Sequence, residues 1–153
     1  MDLSGNEDLL DRHLVALFVS RNISPEDAAP VMRWAEEICK SDSVVISGFH
    51  SPLEKQVLDI LLKHKHPVIF ALGRALYKRV PPQLEEPFQE GRLLFISFRD
   101  YSRHSWNSAQ QRNWGAADLA DEVYFSTFDQ NSSLSTLHFT LDRYSDKAVY
   151  ILR

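Results

Sequence analysis

Apolar residues in this chain fall into six short runs, with helical spacing between them. The runs are HLVALFVS at 13–20, VVI at 44–46, PVIFALG at 67–73, LLFISF at 93–98, EVYFSTF at 122–128 and AVYIL at 148–152. Each has the length of a strand. Several are apolar without alternation, the pattern of strands covered on both faces. Ser24-Pro25-Glu26-Asp27 combines an N-cap, a proline at the first helical position and acids in the first turn, so a helix starts there. Val31, Trp34, Ala35 and Ile38 mark its apolar face. A second helix runs from about Pro52 and buries Leu53, Val57, Ile60 and Leu61; its end, Lys63-His64-Lys65-His66, suits a negative dipole end. Shorter helices are predicted over Leu84–Glu90, ended by Gly91, over Asn113–Ala120 and over Ser133–Tyr144. Residues 99–111 are polar and without clear period, and long irregular segments of this sort are often functional.

Strands alternating with helices imply parallel pairing with helices on both faces. The predicted fold is therefore α/β: a three-layer α/β/α Rossmann-like sandwich with a mostly parallel sheet of about six strands. No repeat, low-complexity tract or linker interrupts it, so residues 1–153 form a single domain. Net charge is −4, which argues against a protein that binds polyanions over its whole surface but leaves room for a local basic groove. The single cysteine, Cys39, excludes an intrachain disulfide and reads as a small buried hydrophobe on a helix face. The acidic start MDLSGNEDLLDRH has no signal-peptide core, and no apolar run reaches the ~20 residues of a membrane span. A cytoplasmic protein is expected.

In a parallel sheet of this kind ligands bind beyond the strand carboxyl ends, near the point where strand order reverses. The second run stops at Ser47-Gly48, just before the helix at Pro52. Glycine lets a backbone approach a ligand closely, and a helix start offers unpaired N–H groups to an anion. The other strand ends carry Ser20-Arg21, Gly73-Arg74, the segment from Arg99 to Asn113 with Tyr101, Arg103, His104 and Trp106, and Asp129 to Ser133. Between Arg74 and Arg112 seven Lys and Arg face four acids, with Tyr77, Tyr101 and Trp106 interleaved. Guanidiniums, hydroxyls, amides and aromatics suit phosphates and stacked bases. No paired carboxylates, Ser-His-Asp set or metal-ligand cluster stands among them, so neither a metal nor a cofactor is expected. The available carboxylates for acid or base work are Glu54, Asp121 and Asp129; Asp121 just precedes a strand, away from this edge, and Glu54, in the first turn after Ser47-Gly48, is the one to test.

In their order along the chain these motifs resemble the Rossmann-like domain of the DNA-processing protein A (DprA, or Smf) family, within the superfamily that includes the Lonely-guy phosphoribohydrolases. Ser20-Arg21 resembles the end of that family's Gly-Ser-Arg. Ser47-Gly48-Phe49 resembles its Ser-Gly-Leu. Pro81-Pro82 stands in its Tyr-Pro-Pro loop, and Gly91 to Ser97 is similar to its Gly-x-Leu-Leu-Ser-Glu strand. Arg112-Asn113 matches part of Arg-Arg-Asn-Arg, and Ser133-Leu134-Ser135-Thr136 is similar to Ser-Leu-x-Thr. The resemblance runs from about Leu14 to Leu152. It departs at His50-Ser51-Pro52-Leu53-Glu54, at Gln111 and Trp114, and at Ser132, and it lacks the phosphoribohydrolase Pro-Gly-Gly-x-Gly-Thr loop.

The resemblance implies binding of single-stranded DNA or a nucleotide phosphate, a role in DNA uptake and work alongside a RecA-type recombinase. The implied ligand residues are Ser20, Arg21, Ser47, Gly48, Phe49, Arg112, Asn113, Ser133 and Thr136, with a base stacking on Phe49 or Trp106. The expected partners are single-stranded DNA or a nucleotide, and a second copy in a homodimer. Three functions stay open: a non-catalytic nucleic-acid-binding module, a small-nucleotide binder or sensor, and a nucleotide-cleaving enzyme.

Overall fold

The computed structural model describes residues 1–98 and 106–153. Residues 99–105, with Arg99, Tyr101, Arg103 and His104, and the Trp106 side chain lie outside the described residues. In chain order the elements are β1 (Asp2–Gly5), a 3₁₀ turn (Glu7–Asp11), β2 (Leu14–Phe18), α1 (Pro25–Ile38), β3 (Val44–Ser47), α2 (Pro52–Lys63) and β4 (Val68–Leu72). A second 3₁₀ turn (Pro82–Leu84), α3 (Glu85–Gln89), β5 (Leu93–Ser97), α4 (Trp106–Leu119), β6 (Glu122–Phe125), α5 (Ser133–Tyr144) and β7 (Ala148–Ile151) follow.

One seven-stranded sheet has the order β1-β5-β4-β3-β2-β6-β7. The six strands expected from the apolar runs are all present and mutually parallel. All five residues of β2 and of β5, and all four of β3, are buried, the consequence of helices on both faces. Leu14, Ala16 and Phe18 join a core under α4 and α5; Leu17 and Val19 join the one beneath α1 and α2. The three-layer sandwich is as predicted.

Two elements differ from expectation. The N-terminal tetrapeptide Asp-Leu-Ser-Gly is a seventh strand, antiparallel to β5, with Leu3 opposite Ile96. It has no apolar run to announce it. Gly5 (φ 123°) is needed there, since a Cβ would sit 2.4 Å from the Leu93 carbonyl. The helix expected from Asn113 instead begins at Trp106, so Arg112 and Asn113 lie within α4 rather than at its start. Small residues let α4 lie close to the sheet: Ala116, Ala117 and Ala120 are buried, and a Cβ on Gly115 would meet the Phe98 ring at 2.5 Å. Cys39, expected to be a small buried hydrophobe, caps the end of α1 and is half-buried; burial and then Glu36 push its thiol up.

The chain lays β2 to β5 down in one direction, then returns to the other side of β2 for β6 and β7. The connection after β2 crosses one face and that after β6 crosses the other. Beyond the carboxyl ends of β2 and β6 the loops therefore diverge and leave a crevice.

Candidate functional site

A cleft of about 380 Å³ occupies that crevice. Its walls come from four places: Phe18 to Asn22 at the end of β2, His50, Ser51 and Glu54 at the start of α2, Ala109, Gln110, Arg112 and Asn113 on α4, and Asp129 with Ser132 to Leu134 leading into α5. Ser20, Arg21, Arg112, Asn113 and Ser133 thus converge from three places distant in sequence.

Each wall has a local cause. The loop after β2 is tied across to that after β6, because the Ser20 N–H donates to Ser126 Oγ (2.8 Å), which in turn donates to the Thr127 carbonyl (2.8 Å). Glu54 fixes the next wall. It is only 7% exposed. Its Oε2 accepts from the Val19 N–H (3.0 Å), and its Oε1 accepts from the N–H groups of His50 (2.9 Å) and Ser51 (3.1 Å). The Ser51 hydroxyl accepts from the Glu54 N–H, completing a capping box. Both oxygens of the carboxylate expected to serve as an acid or base are therefore engaged in holding two loops together.

The N–H groups beside Ser47-Gly48, expected to meet a phosphate, are used internally. Phe49 N–H donates to Ser47 Oγ (3.2 Å), and His50 and Ser51 donate to Glu54. Ser47 is fully buried. Phe49 is not the stacking platform expected of it: at φ 44° its ring turns into the core, 2% exposed, and meets Phe70 edge-on. Gly48 has a different role. A Cβ there would lie 2.6 Å from Arg112 Nε and 2.9 Å from its Cζ, so the missing side chain is the space the guanidinium occupies. Thr136 is exposed on α5 and does not line the cleft.

Arg112 dominates the electrostatics. It is 8% exposed, and its Nε donates to Asn113 Oδ1 (3.1 Å). Burial pushes the guanidinium below its ordinary value, and the nearby Glu54 charge opposes that. Arg112 and His50 also line a second cavity, of about 260 Å³, beyond the ends of β3 and β4. The start of α5 faces the main cleft through Ser132 and Ser133. Ser132 stands at the N-cap, yet its hydroxyl donates backward to the Asp129 carbonyl (2.7 Å), and no side chain caps the helix. Among the described residues, then, no side chain caps the first turn of α5, an end that suits an anion.

Sequence reasoning missed the role of Glu54 and of Ser126, a serine at the end of β6. Serine at a strand end and glutamate three residues after a serine cap were the available signals. Among the described residues no group of three or more His, Cys, Asp or Glu is placed to hold a metal, and no helix is long and apolar enough to cross a membrane.

No protein-family model matches the chain, and no curated protein matches its sequence. Solved structures do. DNA processing protein A from Helicobacter pylori, described for its unique single-stranded DNA binding mode, is similar with a TM-score of 0.73 and 21% identity over 97% of this chain and 69% of that one. DprA from Streptococcus pneumoniae is similar to the same degree (TM-score 0.73, 21% identity, 97% of this chain), but the chain spans only 53% of its length. This chain therefore shares its α/β fold with the DNA processing protein A structures, as the order of its motifs implied.

Proposed function

We propose that this domain binds single-stranded DNA, without catalysis, through the cleft beyond β2 and β6. One observation carries the reading: Arg112, a buried cation, shares a cleft with Arg21 and with the start of α5, which no described side chain caps. A desolvated cation and an open helix start favour the same ligand, an anion with oxygen acceptors. Asn113 orients the guanidinium, and Ser20 and Ser133 supply polar groups at the rim. The fold shared with a single-stranded-DNA-binding protein supports strand over free phosphate. Work in DNA uptake beside a RecA-type recombinase, assembly as a homodimer and a cytoplasmic site belong to the same reading.

Catalysis fits less well. Glu54 has both oxygens on backbone N–H groups, and Asp121 sits at the opposite edge, where its Oδ2 accepts from the Leu14 N–H. The deciding experiment is a fluorescence-anisotropy titration of a labelled oligothymidylate at rising salt. Binding is expected to weaken with salt, and Arg21→Ala with Arg112→Ala together to cost at least about tenfold. No binding by the wild type at low salt would end the proposal.

The cleft volume favours a second reading, a small-nucleotide sensor, because about 380 Å³ falls within the range of small-ligand pockets. One mononucleotide raising the melting temperature, with DNA inert, would decide for it.

A further inference from the structure

The second cavity, beyond β3 and β4, has a composition the main cleft lacks. The main cleft sets Arg21 and Arg112 against Glu54 and Asp129. The second cavity is lined by Lys55, Arg74, Arg112 and His50, with Tyr77 beside them, and by no carboxylate among the described residues. Its cations are contributed by three separate elements. Lys55 is in the first turn of α2, Arg74 follows β4, and Arg112 comes from α4. Arg74 is held in place: its guanidinium lies 4.5 Å from the centre of the Tyr77 ring, and its Nε donates to the Ala75 carbonyl (3.1 Å). Its own carbonyl accepts from the buried Ser97 hydroxyl (2.7 Å), which pins the loop to the end of β5. Among the described residues none of Lys55, Arg74 and Arg112 forms an ion pair. Like charges brought together without an acid repel one another, so an arrangement of this kind is stabilised by an anion.

Arg112 and His50 line both cavities. Gly48, with no side chain, lets the guanidinium pass between them. An anion in the second cavity would therefore share Arg112 with one in the main cleft. Two adjacent anion sites around one cation fit a chain of phosphates better than a single one. We infer that Lys55 and Arg74, with the shared Arg112, form a second phosphate subsite that takes the neighbouring backbone phosphate of a bound single strand. This rests on the single-strand reading above and adds to it what separates a strand from a mononucleotide.

The test uses the whole chain with Lys55→Ala and Arg74→Ala combined. Lys55 is exposed and Arg74 half-buried, and circular dichroism melting of the variant checks that the fold is kept. The salt dependence of oligothymidylate binding is the main readout, since each phosphate neutralised on a single strand contributes about −0.7 to the slope of log K against log salt. The double variant is expected to flatten the slope by about 0.7 and to lose at least about tenfold in affinity at low salt. Thymidine monophosphate should compete equally against both proteins. An unchanged slope and affinity would overturn the subsite while leaving the main cleft's role intact. A competition weakened only in the variant would also overturn it, because the cavity would then be a mononucleotide site. No oligothymidylate binding by the wild type would remove both readings together.

Discussion

The two ends of the sheet use charge in opposite ways. All five ion pairs among the described residues lie at the amino-end side: His13 with Asp121 and with Glu122, Lys40 with Glu37, His64 with Glu36, and Arg92 with Glu90. Lys147 Nζ there donates to the carbonyls of Asp118 and Ala120, and the His66 ring meets the Ser43 carbonyl at 2.6 Å. At the carboxyl end Arg21, Lys55, Arg74 and Arg112 form no ion pair within the described residues. The one buried acid there, Glu54, is spent on backbone N–H groups. Charges at one end pair with one another, and the cations at the other find no ion-pair partner among the described residues. The chain's net charge of −4 conceals this, because the excess acid and the grouped base sit at different places.

The same contrast separates the two helix starts that border the cleft. The start of α2 is sealed by Ser51 and Glu54, whereas the start of α5 has a cap residue turned away from it. A phosphate is therefore expected at α5 and not at Ser47-Gly48, although the glycine first draws the eye.

Glu54→Ala breaks the contrast most severely. It leaves three backbone donors of two loops without their acceptor, and a loss of about 3 kcal/mol in urea unfolding is expected. Glu54→Gln keeps an acceptor oxygen and should lose less. A loss under about 0.5 kcal/mol for Glu54→Ala would show that the acid does not organise this end. Gly48→Ala comes next. Its methyl must displace Arg112, which is expected to cost about 1–2 kcal/mol of stability and to weaken oligothymidylate binding severalfold. Ordinary binding by a Gly48→Ala protein would separate the guanidinium's position from the function.

Ser132→Asp sharpens the comparison of helix starts. An aspartate can cap α5 and complement its dipole, so stability should rise by about 0.5–1 kcal/mol while DNA binding falls. A rise in both would place the phosphate elsewhere. The smallest effect belongs to the amino end. Burial holds His66 below its ordinary 6.5, and the charges of Arg12 and His64 add to this, against the Ser43 carbonyl and Asp42. The unfolded chain then takes up its proton first as pH falls. His66 contributes fully above pH 6.5, and the contribution drains as pH drops through the depressed value. A shallow fall in melting temperature below that pH is expected, flattened in His66→Gln. DNA affinity of His66→Gln at neutral pH should stay at the wild-type level.

Much of the fold was legible because buried parallel strands are mostly apolar without alternation, as the Val-Val-Ile of β3 and the Leu-Leu-Phe-Ile of β5 are. β1 was not legible, since Asp-Leu-Ser-Gly has no strand pattern of its own and pairs only because β5 offers it an open edge. The first two turns of α4 were also hidden. Asn107 to Asn113 has no apolar stripe, and the residue it buries most usefully is an arginine. At the site, the sequence order placed Ser20, Arg21, Arg112, Asn113 and Ser133 after strands or near them, and all five do line one cleft. The inward turn of Phe49 and the outward place of Thr136 were beyond reach. A positive φ and the winding of one helix decide which way each side chain faces.

By itself, then, the sequence determined the alternation of strand and helix, the covered sheet and the edge where ligand groups gather, because these follow from local periodicity and from the direction of parallel strands. Only the tertiary structure decided which N–H groups are capped by side chains and which cations pair among the described residues. Those depend on partners 30 or more positions away: Glu54 meeting Val19 across 35 residues, and Arg112 resting where Gly48 has no side chain.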